Sequence, residues 1–327
     1  MLRYLVRRLV NYAILLFVAV SMGYLLASAY LDPRNAFDWQ NPKLDKQAIL
    51  RKLTDFNINP ETSIWVRYGR WLKMVFLHWN WGYTPKSEWV NTIVTTRIGV
   101  SLRLVILGTI IGMAGGVAIG AWSAVRQYSV ADRVVSFLAL LLISTPVMVL
   151  AVLLQLGATR FNQATGTEFF QFIGETSAHG DYFGAAFLNR AQHLLLPTLS
   201  LSAMGLATYS RYQRNLMLDT LGADYVRTAR AKGLRKGKAI RHHALRNAII
   251  PMATYFAFGV ATVFTGAAIT ERVYGWHGMG SYSVDSIQQQ DINGAVAVIA
   301  FAGLCTLTGA LLSDILIAII DPRIRAR

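Results

Sequence analysis

Six apolar runs, each long enough for a membrane-crossing helix, alternate with polar segments along this chain. The runs cover residues 9–30, 101–124, 134–159, 193–210, 249–270 and 294–320. About 20 apolar residues form a helix of ~30 Å, which matches the hydrocarbon core of a bilayer. The pattern therefore predicts an all-α membrane protein with six transmembrane helices, the first of them within residues 1–30.

The longest polar segment covers residues 31–100 and predicts a folded excursion outside the membrane. It is rich in tryptophan, with Trp39, Trp65, Trp71, Trp79, Trp81 and Trp89. Within it, residues 64–79 alternate aromatic and basic residues at helical spacing. Two interpretations stay open for this stretch: a helix along the membrane surface, or a small helix packed on the excursion's own core.

Glycine and proline mark two of the predicted spans. Gly108, Gly112, Gly116 and Gly120 recur at every fourth position of the second span. Small residues at this spacing lie on one helical face and predict close approach of a neighbouring helix. Pro146 lies inside the third span, where proline predicts a kink.

Composition supports lipid as the main solvent of the chain. Of its 327 residues, 54% are hydrophobic and 15% are charged, and the mean hydropathy is +0.38. That leaves too little polar surface for a water-soluble globule of this size. The net charge of +15 does not indicate a nucleic-acid partner, because the basic residues flank apolar spans. Cys305 is the single cysteine, so an intramolecular disulfide is impossible.

The distribution of Lys and Arg predicts the orientation. With the N-terminus inside, eighteen of them fall in the inner segments, at 3, 7, 8, 126, 133, 211–246, 323, 325 and 327. Only Arg160, Arg190 and Arg272 fall in the short outer segments. Because cytoplasmic loops concentrate Lys and Arg, both termini and the tail 321–327 are predicted to be cytoplasmic, and the excursion 31–100 extracytoplasmic.

The most basic of the inner segments covers residues 211–248. It holds ten Lys or Arg, at 211, 214, 227, 230, 232, 235, 236, 238, 241 and 246, against Asp219 and Asp224. Asp224 suits the first turn of a short helix, Lys232 its last turn, and Gly233 a left-handed terminating position. These signals predict a compact helix-turn-helix with a helix from about Ala223 to Lys232.

The chain lacks the sequence motifs of an enzyme that consumes ATP. It contains no nucleotide-binding P-loop, Rossmann fingerprint, H-E-x-x-H or G-x-S-x-G pattern. His242 and His243 are adjacent, so they diverge by about 100° on a helix and cannot share one metal. We therefore expect no catalytic residue, no metal site and no cofactor in this chain, and the sequence identifies no substrate-binding residue.

The basic segment resembles the cytoplasmic coupling loop of binding-protein-dependent ABC importer permeases, in the version found in oligopeptide and dipeptide permeases. The resemblance rests on Asp224-Tyr-Val, Arg227-Thr-Ala-Arg-Ala-Lys-Gly-Leu234, Arg241-His-His-Ala-Leu-Arg-Asn-Ala248 and Pro251. Further matches follow the same order along the chain, at the N-terminus, Ser101-Leu-Arg-Leu, His193-Leu-Leu-Leu-Pro197, Glu271–Gly280 and Asp321–Arg325.

The resemblance implies a multi-pass permease of the bacterial inner membrane that works in a complex. Its partners would be a second homologous permease, cytoplasmic ABC ATPase subunits that bind ATP and Mg²⁺, and an extracytoplasmic substrate-binding protein. The residues implied to contact the ATPase are Asp224, Tyr225, Val226, Arg227, Thr228, Ala229, Arg230, Ala231, Lys232, Gly233 and Leu234. In this interpretation Tyr225, Val226 and Ala229 fill a groove of the ATPase, and Arg227, Arg230 and Lys232 orient the helix by charge.

Two other functions fit the same residues. One is an importer of nickel or metal chelates with the same architecture, which the span pattern does not distinguish from a peptide importer. The other is a membrane scaffold or sensor that transports nothing and needs no ATPase.

Overall fold

The computed structural model describes residues 2–41, 44–178 and 184–320, and helices account for nearly all of its regular structure. The first four helices are α1 (Leu2–Tyr30), α2 (Lys46–Asp55), α3 (Ile64–His78) and α4 (Val90–Val125). The next four are α5 (Val130–Ser144), α6 (Val147–Thr165), α7 (Ala185–Leu221) and α8 (Asp224–Ala231). The last four are α9 (Lys236–Ala239), α10 (Leu245–Val273), α11 (Met279–Gln288) and α12 (Ile292–Ile320).

Within the described residues there is no β-sheet, only one isolated bridge between Tyr83 and Trp89. The prediction of an all-α protein is therefore confirmed. In the part of the chain that the structure describes, four helical segments are long and apolar enough to cross a membrane, Val6–Tyr30, Val90–Val125, Val147–Thr165 and Ile292–Ile317. The predicted spans 193–210 and 249–270 lie inside the longer helices α7 and α10, which were not among those four.

Helix α4 begins at Val90, eleven residues before the predicted second span, and Gly99 does not interrupt it. The extent of the excursion, residues 31–100, stays a prediction. The predicted span 134–159 is two helices, since the chain is extended at Thr145. Proline disfavours the helical conformation of the residue before it, so Pro146 ends α5 instead of kinking one continuous helix.

The chain forms two compact units, Met1–Leu102 with Trp276–Leu307, and Arg103–Gly275 with Thr308–Arg327. In the first unit, α1 and α3 pack around the buried residues Tyr24, Leu53, Trp71 and Ile292. A Cβ added at Gly23 would contact Ile299, and one added at Gly303 would contact Leu16. Residues later in α1 thus contact residues earlier in α12, so the two helices are antiparallel.

In the second unit, the glycine stripe of α4 packs directly on α7. A Cβ added at Gly108 would meet Leu201, one at Gly112 would meet Gly205, and one at Gly116 would meet Tyr209. The predicted close helix approach is therefore confirmed. Because the residue numbers rise together on both helices, α4 and α7 are parallel. Helix α7 also packs against α5, α6 and α10, which makes it the central helix of this unit.

We expect Gly112→Leu to lower the melting temperature of the detergent-solubilised protein. A Cβ at this position would lie 3.2 Å from both the Gly205 Cα and the Ser202 carbonyl oxygen, and backbone atoms cannot move aside. Forcing extra carbons into such a contact costs ~1–3 kcal/mol. Ala118→Leu is the control, because Ala118 is exposed on the same helix. Equal melting temperatures for the two variants would contradict the close contact.

Candidate coupling site

The basic segment folds as predicted into a short helix followed by a turn and a second helical stretch. Helix α8 begins at Asp224, whose carboxylate lies in the first turn, and ends at Ala231. The second stretch consists of α9, a π-helical segment Ile240–Ala244 and the start of α10. Helix α7 continues to Leu221 and α10 begins at Leu245, so the two ends of the predicted loop 211–248 are parts of long helices.

The end of α8 is fixed by a glycine in the left-handed conformation, as predicted. Gly233 has φ +91°, its amide donates to the Arg230 carbonyl (3.0 Å), and the Leu234 amide donates to the Ala229 carbonyl (3.2 Å). These two bonds form a Schellman motif, which satisfies the last carbonyls of the helix. Leu234 then packs against the same apolar cluster as Ala229. The chain therefore leaves α8 along a defined path.

Helix α8 is held on an apolar base formed by this chain itself. Val226 and Ala229 are buried at 3% and 8% relative exposure. The base, hereafter the coupling core, comprises the buried residues Ala124, Met217, Val226, Ala229, Ala239, Ala244 and Ala248. Its members come from α4, α7, α8, α9, the π-helical segment and α10. The apolar stripe of α8 thus packs directly on the ends of three long helices, α4, α7 and α10.

This packing corrects the roles expected for Val226 and Ala229. Both side chains contact the coupling core, so they are not available to fill a groove of another subunit. A helix of only two turns gains little stability of its own and must bury its apolar stripe against its own chain. Of the three residues expected to fill that groove, only Tyr225 is exposed, at 42%.

The opposite side of α8 forms an exposed face, hereafter the outward face. It consists of Asp224, Tyr225, Arg227, Thr228 and Ala231. Arg230, Lys232 and Gly233 are also exposed at its margin, and Leu234 is half-buried. Arg227 and Asp224 lie 3.9 Å apart, but both side chains are largely in solvent, so this pair contributes little to stability. The outward face carries polar and basic groups around a small central surface at Thr228 and Ala231.

The sequence analysis missed an ion pair close to the coupling core. Asp132 accepts hydrogen bonds from the Arg214 Nε and Nη2 at 2.7 and 2.8 Å. It also accepts from the Ser123 hydroxyl and from the Tyr128 amide. The Arg214 guanidinium is the main reason why the pKa of the Asp132 carboxyl is lowered from its usual value, despite burial. The pair ties the start of α5 to α7, three residues before Met217 of the coupling core.

The sequence contains a local signal for Asp132, one of the two residues of this ion pair. Ser129 accepts the Asp132 amide as an N-cap, and serine followed three residues later by an acid is a known helix start. Nothing local pointed to Arg214, since the two residues come from different helices.

We expect Val226→Asp to loosen α8 without unfolding the rest of the chain. The substitution removes the burial of a valine, worth ~1.5–3 kcal/mol, and places a carboxylate in an apolar cluster. Hydrogen–deuterium exchange over residues 223–234 should then become faster by about tenfold or more. Thr228→Asp is the matched control, because it puts the same charge on the exposed side of the same helix. Equal exchange in both variants would contradict the assignment of the two faces.

Comparisons with known proteins place the chain among membrane transport components. A family model described as "Binding-protein-dependent transport system inner membrane component" matches residues 116–326, which include the coupling core and α8. The chain is 46% identical over 330 residues to the oligopeptide transport system permease protein OppB of Mycobacterium tuberculosis, covering 99% of each. It is 30% identical to the oligopeptide transport system permease protein AppB of Bacillus subtilis, again over 99% of each. It is 29% identical to the dipeptide transport system permease protein DppB of Lactococcus lactis, over 99% of this chain and 100% of that one.

Proposed function

Because this chain belongs to the family of binding-protein-dependent transport system inner membrane components, we propose that it is the permease of an ATP-driven importer of oligopeptides or dipeptides. The proposed substrate class rests on full-length similarity to permeases named for oligopeptide and dipeptide transport. The importer of nickel or metal chelates remains the second candidate from the sequence, and none of these three relatives is named for it.

The proposed topology has six crossings with both termini in the cytoplasm. The excess of Lys and Arg in the predicted inner segments supports it. The helix directions agree with it as well, since the second and fourth spans would run the same way and the first and sixth opposite ways. In this topology α8 faces the cytoplasm and residues 31–100 lie outside.

The proposed role of α8 is to dock on a cytoplasmic ATPase through its outward face. Tyr225, Thr228 and Ala231 would contact the ATPase surface, while Arg227, Arg230 and Lys232 would orient the encounter by charge. ATP and Mg²⁺ would bind to that partner, since the chain has no nucleotide-binding motif. Closure of the ATPase pair would move α8 as a rigid piece, and the coupling core would pass the movement to α4, α7 and α10.

The remaining partners are a second homologous permease and an extracytoplasmic substrate-binding protein. Two permeases would enclose the translocation path between them, and the binding protein would deliver the peptide. Residues that line the path are not assigned.

The test is uptake by the complete transporter reconstituted in proteoliposomes. We expect labelled oligopeptide or dipeptide to accumulate only with ATP and the binding protein, and chelated nickel not to accumulate. Accumulation of the nickel chelate alone would favour the metal importer. Assembly and stability of the chain with no ATPase subunit, together with no uptake, would favour the scaffold or sensor.

A further inference from the structure

Helix α3 exposes an unusual set of large apolar side chains for a segment outside the predicted spans. Trp65 and Phe76 are 68% and 66% exposed, Leu77 is 73% exposed, and Trp79, the residue after the helix, is 72% exposed. Val66 adds a fifth. A water-soluble excursion would place most of such side chains inside, because their exposure to water costs free energy.

These side chains are exposed although α3 already has a packed core-facing side. Trp71 and Val75 are buried at 1% and 6%, and Arg67 is buried at 3%. The exposed residues occupy the opposite side of the helix, so they are a second apolar surface rather than a poorly packed first one. Of the two interpretations left open by the sequence, packing on the excursion's own core is confirmed for one side of α3, and contact with the membrane stays a prediction.

The position of α3 along α1 places this surface next to lipid. The Tyr68 hydroxyl donates to the Ser21 hydroxyl at 2.8 Å, and the Trp71 ring lies 4.8 Å from the Tyr24 ring. The Phe76 ring lies 5.9 Å from the Phe17 ring. Phe17 is ~20 Å along the helix from Tyr30, the last residue of the candidate span Val6–Tyr30. Helix α3 therefore contacts a part of α1 that lies within the span.

The two exposed surfaces are continuous. Phe17 is 44% exposed, and its neighbours on the same side of α1, Ile14 and Val18, are also exposed apolar residues of a membrane span. Since these side chains face lipid, the Phe76 ring in contact with Phe17 extends the same lipid-facing surface onto α3.

The charges and the backbone of this region are also compatible with contact with lipid. Arg70 and Lys73 are exposed among the apolar residues, and long basic side chains can extend their charge toward the headgroups while their stems lie on apolar surface. The turn after α3 leaves few backbone groups without partners, since the Asn91 side chain donates to the Trp79 carbonyl (2.6 Å) and accepts from the Trp81 amide (2.9 Å). Backbone at membrane depth requires such internal partners.

We propose that α3 is a membrane-embedded amphipathic helix, whose surface of Trp65, Val66, Phe76, Leu77 and Trp79 is buried in the lipid leaflet beside α1. The occupant is the acyl-chain layer that surrounds α1 at the depth of Phe17. The excursion is thereby anchored at two points, by the span before it and by its own third helix.

Site-directed spin labelling of the assembled transporter in lipid nanodiscs tests this directly. In a Cys305→Ala background, nitroxides would be attached at Phe76→Cys and, separately, at Leu77→Cys. Ile14→Cys on α1 provides the lipid reference, and Glu61→Cys, exposed in the loop before α3, provides the water reference. Accessibility to oxygen and to a water-soluble nickel chelate is measured at each position.

We expect the labels at Phe76 and Leu77 to be accessible to oxygen several-fold more than to nickel, as at Ile14. The opposite ratio, as at Glu61, would overturn the proposal, because the helix would lie in water. Protection from both reagents would also overturn it, since another subunit would then cover the surface.

A second measurement uses the native tryptophans and leaves Phe76 and Leu77 unsubstituted. Quenching of native tryptophan fluorescence by lipids brominated along their acyl chains should fall in the variant Trp65→Phe with Trp79→Phe, compared with the unsubstituted protein. Trp39→Phe, a substitution within the excursion but outside α3, is the control. Equal quenching in the double variant and the unsubstituted protein would contradict lipid contact.

Discussion

Replacing Thr228 with tryptophan is expected to reduce ATP-driven uptake and the association of the ATPase by about tenfold or more. Thr228 lies near the centre of the outward face of α8, where a large ring would hold α8 and the ATPase surface apart. Overpacking a contact costs ~1–3 kcal/mol, and ~1.4 kcal/mol corresponds to a factor of ten in an equilibrium constant. The helix itself should remain intact, because the Thr228 side chain is exposed.

Thr165→Trp is the matched control for this variant. Thr165 is also an exposed threonine, but it lies at the end of α6, on the opposite side of the membrane in the proposed topology. Its substitution should leave uptake and ATPase association unchanged. Normal ATP-driven uptake by Thr228→Trp, with the ATPase still bound, would show that the outward face does not dock.

The second large effect is expected for Asp132→Asn. The side chains of Asp132 and Arg214 are only 4% and 22% exposed, so the substitution leaves a largely buried guanidinium without its carboxylate. Removing one partner of a buried ion pair costs ~3–5 kcal/mol. We expect a lower melting temperature and weaker coupling between ATP hydrolysis and uptake, because α5 and α7 lose their direct tie beside the coupling core.

A double-mutant cycle isolates the pair. Arg214→Gln alone should also destabilise the protein, and the double variant should lose less than the sum of the two single variants. Strictly additive losses would mean that the two side chains do not interact, contrary to the hydrogen bonds of the structure.

The pH dependence of this pair follows from the direction of the pKa shift. The pKa of the Asp132 carboxyl is lower in the folded protein than its usual value near 4, mainly through Arg214. The stabilisation by the ion pair is therefore fully present at pH values above the usual pKa, and it is lost as the pH falls through the lowered pKa of the folded protein. Thermal melts of the unsubstituted protein and of Asp132→Asn should differ by a constant amount between pH 5.5 and 8.

Much of the fold followed from patterns that act locally. Apolar runs determine helices because backbone groups in lipid must be satisfied within the segment. Gly233 ends α8 because it tolerates the left-handed conformation, and the glycines at every fourth position of α4 lie on one face at any tilt of that helix. The effect of Pro146 was misjudged, since a proline that breaks a helix and one that kinks it have the same sequence signature.

The candidate site could be located from sequence, but its faces could not be assigned. Val226 and Ala229 form an apolar stripe, and such a stripe looks the same whether it meets the same chain or another subunit. The coupling core also depends on Ala124, Met217 and Ala244, which come from distant parts of the chain. Their meeting, like that of Asp132 with Arg214, is decided by tertiary packing and leaves no periodic signal.

Photo-crosslinking from α8 tests the central claim most directly. Benzoylphenylalanine would be placed at Tyr225 on the outward face, where an aromatic ring already stands, or at Val226 on the coupling core, in the complete transporter. The account predicts that the probe at Tyr225 forms an adduct with the ATP-hydrolysing subunit, identified by mass spectrometry, and that the probe at Val226 reacts within this chain. Adducts with that subunit from Val226 but not from Tyr225 would contradict it.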